Sequence, residues 1–397
     1  MKKYVPLLII FFALAGCSEP ISEERAAIPV ETPITVAVES QIPTPTPSPT
    51  EEANMPVYPD PITGFFASCR FEPGVRCTPF DSYFSSLEVE AWKREAEHAF
   101  QILKEKAHPD IKKLGIDIEQ MEADLHAFVD AQSELYAYIC FTSALGEEGG
   151  EWGETIFRGT GFSQGHELTR AAIYKTFVKD FYACGLHYPK GGESYVSDYV
   201  FDPDEVLAEL EAVNIACTVE PYEIEIPLFA WSASENPIDA WVEDSGLYAD
   251  GSTLALSCDA HMEADIWKSE LEHLYSILQE RSNPIAELEP LIQTAQEAYF
   301  SFVPAFGEVE SLYAHSGLFM PELWKDDVSE LEDRCGTIHY SERWVNQTYY
   351  FREEVFRLRQ ALCGRLGEEA VDWTFDPAPY EAEMREFYGE DWGKPRS

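Results

Sequence analysis

The sequence predicts a mainly α-helical protein: two duplicated, disulfide-bonded helical-bundle modules behind a signal peptide and a disordered Pro/Thr linker. Three observations carry that prediction. Five short motifs recur in the same order along the chain, the recurring segments space their apolar residues helically, and the cysteines beyond residue 17 are even in number.

The chain opens on Met1-Lys2-Lys3, a short positive start, followed by an apolar stretch from Val5 to Leu14. About ten apolar residues fit a secretory signal and are too few to span a bilayer. The stretch closes on Leu14-Ala15-Gly16-Cys17, which is similar to the bacterial lipobox. That resemblance implies cleavage after residue 16, a diacylglycerol on the Cys17 thiol and an acylated new amine. Each buried CH₂ adds roughly 0.8 kcal/mol of membrane affinity, so several chains on one residue make a durable tether. Ser18 follows the cysteine, which by resemblance to lipoprotein sorting signals implies the outer membrane, facing the periplasm.

Residues 17–62 read as the lipidated linker. Ile42-Pro43-Thr44-Pro45-Thr46-Pro47-Ser48-Pro49-Thr50 has no hydrophobic period and suits a semi-rigid polyproline spacer. It would hold the body away from the lipid.

The repeat follows. Cys69-Arg70-Phe71-Glu72-Pro73 recurs as Cys217-Thr218-Val219-Glu220-Pro221, and Trp92-Lys93 with Glu95, Glu97 and His98 recurs as Trp267-Lys268 with Glu270, Glu272 and His273. Leu135-Tyr136-Ala137 matches Leu312-Tyr313-Ala314, Cys184-Gly185 matches Cys363-Gly364, and Phe201-Asp202-Pro203 matches Phe375-Asp376-Pro377. These anchors define a first module over 63–213 and a second over 214–397.

Each module should begin with a long helix, because Trp92, Ala96, Ala99, Phe100 and Leu103 share one helical stripe, as do Trp267, Leu271, Leu274, Tyr275 and Leu278. Pro109 and Pro284 mark the following turns. A third helix runs to Cys184 in one module and to Cys363 in the other. The Phe-Asp-Pro motifs should each open a short helix, with Asp as N-cap and Pro at the first helical position. An insertion near 222–256 carries the β-like runs Ile224-Glu225-Ile226 and Leu254-Ala255-Leu256.

Nine cysteines less the lipidated one leave Cys69, Cys77, Cys140, Cys184, Cys217, Cys258, Cys335 and Cys363. In an oxidising envelope these are disulfide candidates, each bridge adding roughly 2–4 kcal/mol. An antiparallel three-helix arrangement favours Cys77 or Cys69 with Cys140.

Composition narrows the function. With 28 basic against 72 acidic side chains the formal charge is −44. Nucleic acid is therefore excluded as a partner, since phosphate binding needs clustered Lys and Arg, while basic proteins are attracted. No cofactor motif is present, neither a Gly-rich phosphate loop nor a Gly-x-Ser-x-Gly elbow.

Cys140-Phe141, Gly149-Gly150 and Leu168-Thr169-Arg170 resemble the C-terminal half of the LprI-type lysozyme-inhibitor domain. Leu271-Glu272-His273-Leu274-Tyr275 resembles that family's Leu-Asn-x-x-Tyr helix, with Glu272 in place of Asn. The sequence departs from the family in lacking Arg-Asp before Cys140 and the next cysteine near Thr160; Cys335 stands for that later cysteine in the second module. The resemblance implies a small helical envelope protein that inhibits lysozyme. Between Gly146 and Glu154 a flexible acidic loop, Glu147, Glu148, Glu151 and Glu154 around Trp152, suits a basic cleft.

Two other readings stand beside the membrane-anchored, non-enzymatic binding protein. Glu95 with His98, and Glu270 with His273, are Glu-x-x-His pairs of the kind used in di-metal carboxylate helical bundles. A purely structural envelope role is the third.

Overall fold

The computed structural model describes residues 60–72, 78–141, 160–186, 199–220, 236–248, 252–281, 288–315, 317–319, 321, 338–366 and 371–389. The signal, Cys17 and nearly all of the linker lie outside them. The described chain is mainly helical: α1 Pro61–Ser68, α2 Thr78–Lys106, α3 Ile118–Phe141, α4 Thr160–Leu186, α5 Pro203–Ala212, α6 Pro237–Ser245, α7 Thr253–Arg281, α8 Leu288–His315, α9 Ile338–Leu366 and α10 Pro377–Tyr388. No helix among the described residues is long and apolar enough to cross a membrane.

Two 3-10 turns, Ile111–Leu114 and Gly317–Phe319, and two strands, β1 Cys69–Phe71 and β2 Cys217–Val219, complete the order among the described residues. The strands pair antiparallel, with Cys69 opposite Val219, Arg70 opposite Thr218 and Phe71 opposite Cys217.

The two stripes read from the sequence are the core. Trp92 and Trp267 are 0% exposed, and the other eight stripe residues are all buried. Burying a side chain of this kind contributes roughly 1.5–3 kcal/mol, so these faces fix which way α2 and α7 turn. The stripe of α2 packs on α4 and the stripe of α7 on α9, while α3 and α8 lie against each other. The described residues from Pro61 onward belong to one compact unit. Where α8 meets α9, Gly307 keeps the approach close: a Cβ there would lie 3.1 Å from the Arg343 carbonyl oxygen and from Gln347 Cγ, and these neighbours would have to give way.

Local chemistry sets the helix starts. Asp202 accepts from Asp204 N (2.9 Å) with Pro203 at the first helical position, and Asp376 accepts from Ala378 N (3.0 Å) with Pro377. Asn236 caps α6, and Arg352 of α9 holds that helix through Asp239, with Nη2 2.6 Å from Oδ2.

One local expectation fails. Leu254-Ala255-Leu256 is not β but the first turn of α7, where Ala255 is buried and its carbonyl accepts from Tyr388 of α10. Ile224-Glu225-Ile226 and Pro284 lie outside the described residues.

Candidate functional site

The Glu-x-x-His glutamates do not stand in solvent. Glu95 of α2 is 0% exposed, and its carboxylate accepts from Tyr182 Oη of α4 (2.9 Å) and from the backbone N of Phe201 (2.6 Å), just before the N-cap of α5. Glu270 of α7 is 2% exposed and accepts from Thr374 N (3.2 Å) and Oγ1 (3.0 Å), two residues before the N-cap of α10. Each carboxylate thus satisfies a backbone N–H on the segment that leads into a short terminal helix. Burial raises the Glu95 pKa against the opposing pull of Tyr182, the Phe201 and Val200 backbone and His98.

His98 and His273 are partly exposed one turn further on. Among the described residues no group of three His, Cys, Asp or Glu side chains is placed to hold a metal ion. Glu95→Ala and Glu270→Ala are each expected to cost about 1–3 kcal/mol, because each strands buried donors. Urea denaturation measures this, and amide exchange should rise first in α5 or α10.

A larger buried polar cluster lies at the junction of α3, α7, α8 and α9. Glu354 is 1% exposed; its Oε1 accepts from Gln132 Nε2 (2.6 Å) and Tyr136 Oη (3.1 Å), and its Oε2 from Arg357 Nη1 (2.9 Å). Gln132 in turn accepts from Tyr275 Oη at 3.1 Å. Tyr299 donates to the Tyr350 carbonyl (2.7 Å), and Tyr350 Oη donates to Glu310 (2.9 Å). Burial pushes the Glu354 carboxyl up although Arg357 pulls it down; burial also lifts Tyr136, Tyr275 and Tyr299 far above the ordinary phenol range. The glutamates, the glutamine and the phenols of the cluster are buried and Arg357 is 13% exposed, so the cluster joins helices.

A cavity between α2, α3, α4 and α8 is apolar, lined by Ala96, Phe100, Leu103, Leu125, Phe177 and Phe306 among others. Its volume of about 10 Å³ is at the lower limit for one water molecule.

A third arrangement has the residue types of a hydrolase triad. Ser311 Oγ lies 2.8 Å from His339 Nδ1, and His339 Nε2 lies 3.0 Å from Glu308 Oε1, with Arg343 on the other Glu308 oxygen at 3.1 Å. Burial works to raise Glu308, but His339 and Arg343 outweigh it and hold the carboxyl below its usual value. Ser311 is 0% exposed and its hydroxyl also lies 3.0 Å from the His339 carbonyl. A nucleophile must reach its substrate, and this serine is sealed between α8 and α9.

The remaining predicted residues divide by placement. Glu147, Glu148, Glu151, Trp152 and Glu154 lie outside the described residues, as do Cys77, Cys335 and the side chain of Cys184. Cys140, Cys258 and Cys363 are partly exposed on α3, α7 and α9, whereas Cys69 is buried. No two described thiols stand at disulfide bonding distance. Cys69 instead shares one face of the two-stranded sheet with Cys217, a neighbour the three-helix argument does not suggest. Comparison with protein-family models, curated proteins and solved structures finds no match for this chain.

Proposed function

We propose that this chain is a lipid-anchored envelope protein whose acidic helical body captures a basic protein partner without catalysing a reaction. The observation that carries this reading is the division of its carboxylates. Those drawn inside, such as Glu95, Glu270 and Glu354, are tied to backbone or side-chain donors of the fold. The remainder of 72 acidic residues, against 28 basic ones, is left to set the outer field. A field of that sign steers basic proteins toward the surface and weakens with salt. The Leu14-Ala15-Gly16-Cys17 signal supports the anchor, and the LprI-type resemblance supports a lysozyme as partner.

The body is, on the same reading, two copies of one module. In support, α2 packs on α4 as α7 packs on α9, and α3 and α8, which carry the matching Leu-Tyr-Ala motifs, meet each other. Glu95 and Glu270 fasten equivalent segments, and the two Cys-containing motifs pair antiparallel about Arg70 and Thr218.

The test is capture and inhibition of a panel of basic lysozymes by the chain at low and high salt. Binding at micromolar protein, weakening at least about tenfold between low and high salt, is the expected result. Absence of both binding and inhibition at that concentration overturns the lysozyme reading.

A further inference from the structure

The two-stranded sheet brings together two cysteines that are 148 positions apart. With Cys69 opposite Val219 and Phe71 opposite Cys217, all four side chains lie on one face of the ribbon, and Arg70 and Thr218 lie on the other. Cys69 and Cys217 occupy one diagonal of that face. The Cys217 thiol is near enough to raise that of Cys69. The register is also self-complementary: residue 69 meets 219 and residue 71 meets 217, so the two cysteines face each other across a local two-fold axis.

We propose that Cys69 and Cys217 are an oxidisable pair that closes into a disulfide clasp between the leading strands of the two halves. Diagonal Cα atoms in such a ribbon are about 7–8 Å apart, just beyond the usual disulfide range. Closure therefore draws these three-residue strands together by about an ångström, a small movement at an edge held by few backbone hydrogen bonds.

The oxidant is a small or protein-borne disulfide. Cys217, partly exposed, attacks it as the thiolate; one sulfur–sulfur bond of the oxidant breaks, a mixed disulfide forms and the first thiol leaves with a proton. Cys69 then attacks the Cys217 sulfur, forming the Cys69–Cys217 bond and releasing the second thiol. Two protein thiols lose two electrons, and the oxidant's disulfide is reduced to two thiols. The order follows from burial: Cys69 is 7% exposed, and desolvation together with the adjacent Cys217 pushes its thiol up to about 12, which makes it the poorer first nucleophile. The loop so closed contains α2, α3, α4 and α5, and long loops gain most from a crosslink. The clasp does not depend on which partner the body captures.

The experiment uses the full chain, reduced and then equilibrated with oxidised glutathione. Remaining thiols are alkylated, and the protein is digested without reduction for mass spectrometry. The expected result is a crosslinked peptide pair carrying Cys69 and Cys217. A higher urea midpoint should accompany it, disappearing on reduction and in Cys217→Ser but surviving in Cys258→Ser. Separate alkylation of both thiols in oxidised, fully helical protein overturns the proposal, as does a bridge from Cys69 to any other cysteine. If Cys217→Ser does not fold, the peptide map of the natural chain decides alone.

Discussion

Replacing Arg357 with methionine is expected to destabilise the fold by about 3–5 kcal/mol, the usual cost of leaving one member of a buried ion pair alone. Glu354 would keep Gln132 and Tyr136 as donors but lose the positive charge of Arg357 at hydrogen-bond distance, at 1% exposure. The double variant Glu354→Gln, Arg357→Met should recover most of that loss, since it removes both charges and keeps an acceptor for Tyr136. The first half of the chain gives a reason to expect recovery. With α4 and α9 aligned through Cys184 and Cys363, Arg357 corresponds to Val178; with α2 and α7 aligned through their tryptophans, Tyr275 corresponds to Phe100. Val178 and Phe100 both line the apolar cavity, so apolar side chains pack at those two aligned positions. Urea midpoints for the two single variants and the double variant measure the coupling. Single costs below about 1 kcal/mol would mean the pair is solvated.

What the sequence made legible was whatever depends on neighbours a few positions away. The stripe from Trp92 to Leu103 was readable because a helix returns to the same face every three or four residues, and the Asp-Pro caps because an N-cap satisfies an amide two residues on. Leu254-Ala255-Leu256 misled because three apolar residues hold too little period to separate a strand from a helix, and Tyr388, which closes over Ala255, is 133 positions away. Glu95 shows the same limit at the site. Its spacing to His98 is that of a metal-binding pair, yet what it holds is the backbone of Phe201, 106 positions later. Gln132 and Glu354, 222 positions apart, carry no local signal at all. Nor do Ser311 and His339, whose contact forms where α8 packs on α9.

Lowering the pH from 8 to about 5 is expected to stabilise this protein, against the usual behaviour of carboxylate-rich folds. Asp180 on α4 is the main reason. Burial, opposed by the nearby Tyr350 hydroxyl and reinforced by Glu353, lifts its carboxyl from 3.8 to about 7, and its Oδ2 is enclosed with no hydrogen-bond partner. Between those two values the native state holds a proton that the unfolded chain has released. Stability is therefore complete below the unfolded value, falls as pH rises through that window, and has lost this contribution above about 7. The difference corresponds to about 2–4 kcal/mol once partial solvent access is allowed for. Burial also raises Glu95, Glu263, Glu353 and Glu354, which adds to the same slope. Glu167 and Glu308, held low by His and Arg partners, lose stability only in stronger acid, so the maximum belongs near pH 5 (~1 unit wide). Relief of self-repulsion in a chain of formal charge −44 pulls the same way, and Asp180→Asn separates the two effects. The variant keeps the global charge effect but should lose the local one, being more stable than the natural chain at pH 8 and level with it near pH 4. Thermal midpoints across that range measure both slopes. If they are parallel, Asp180 is already ionised in the native state, and the acid stabilisation belongs to the surface instead.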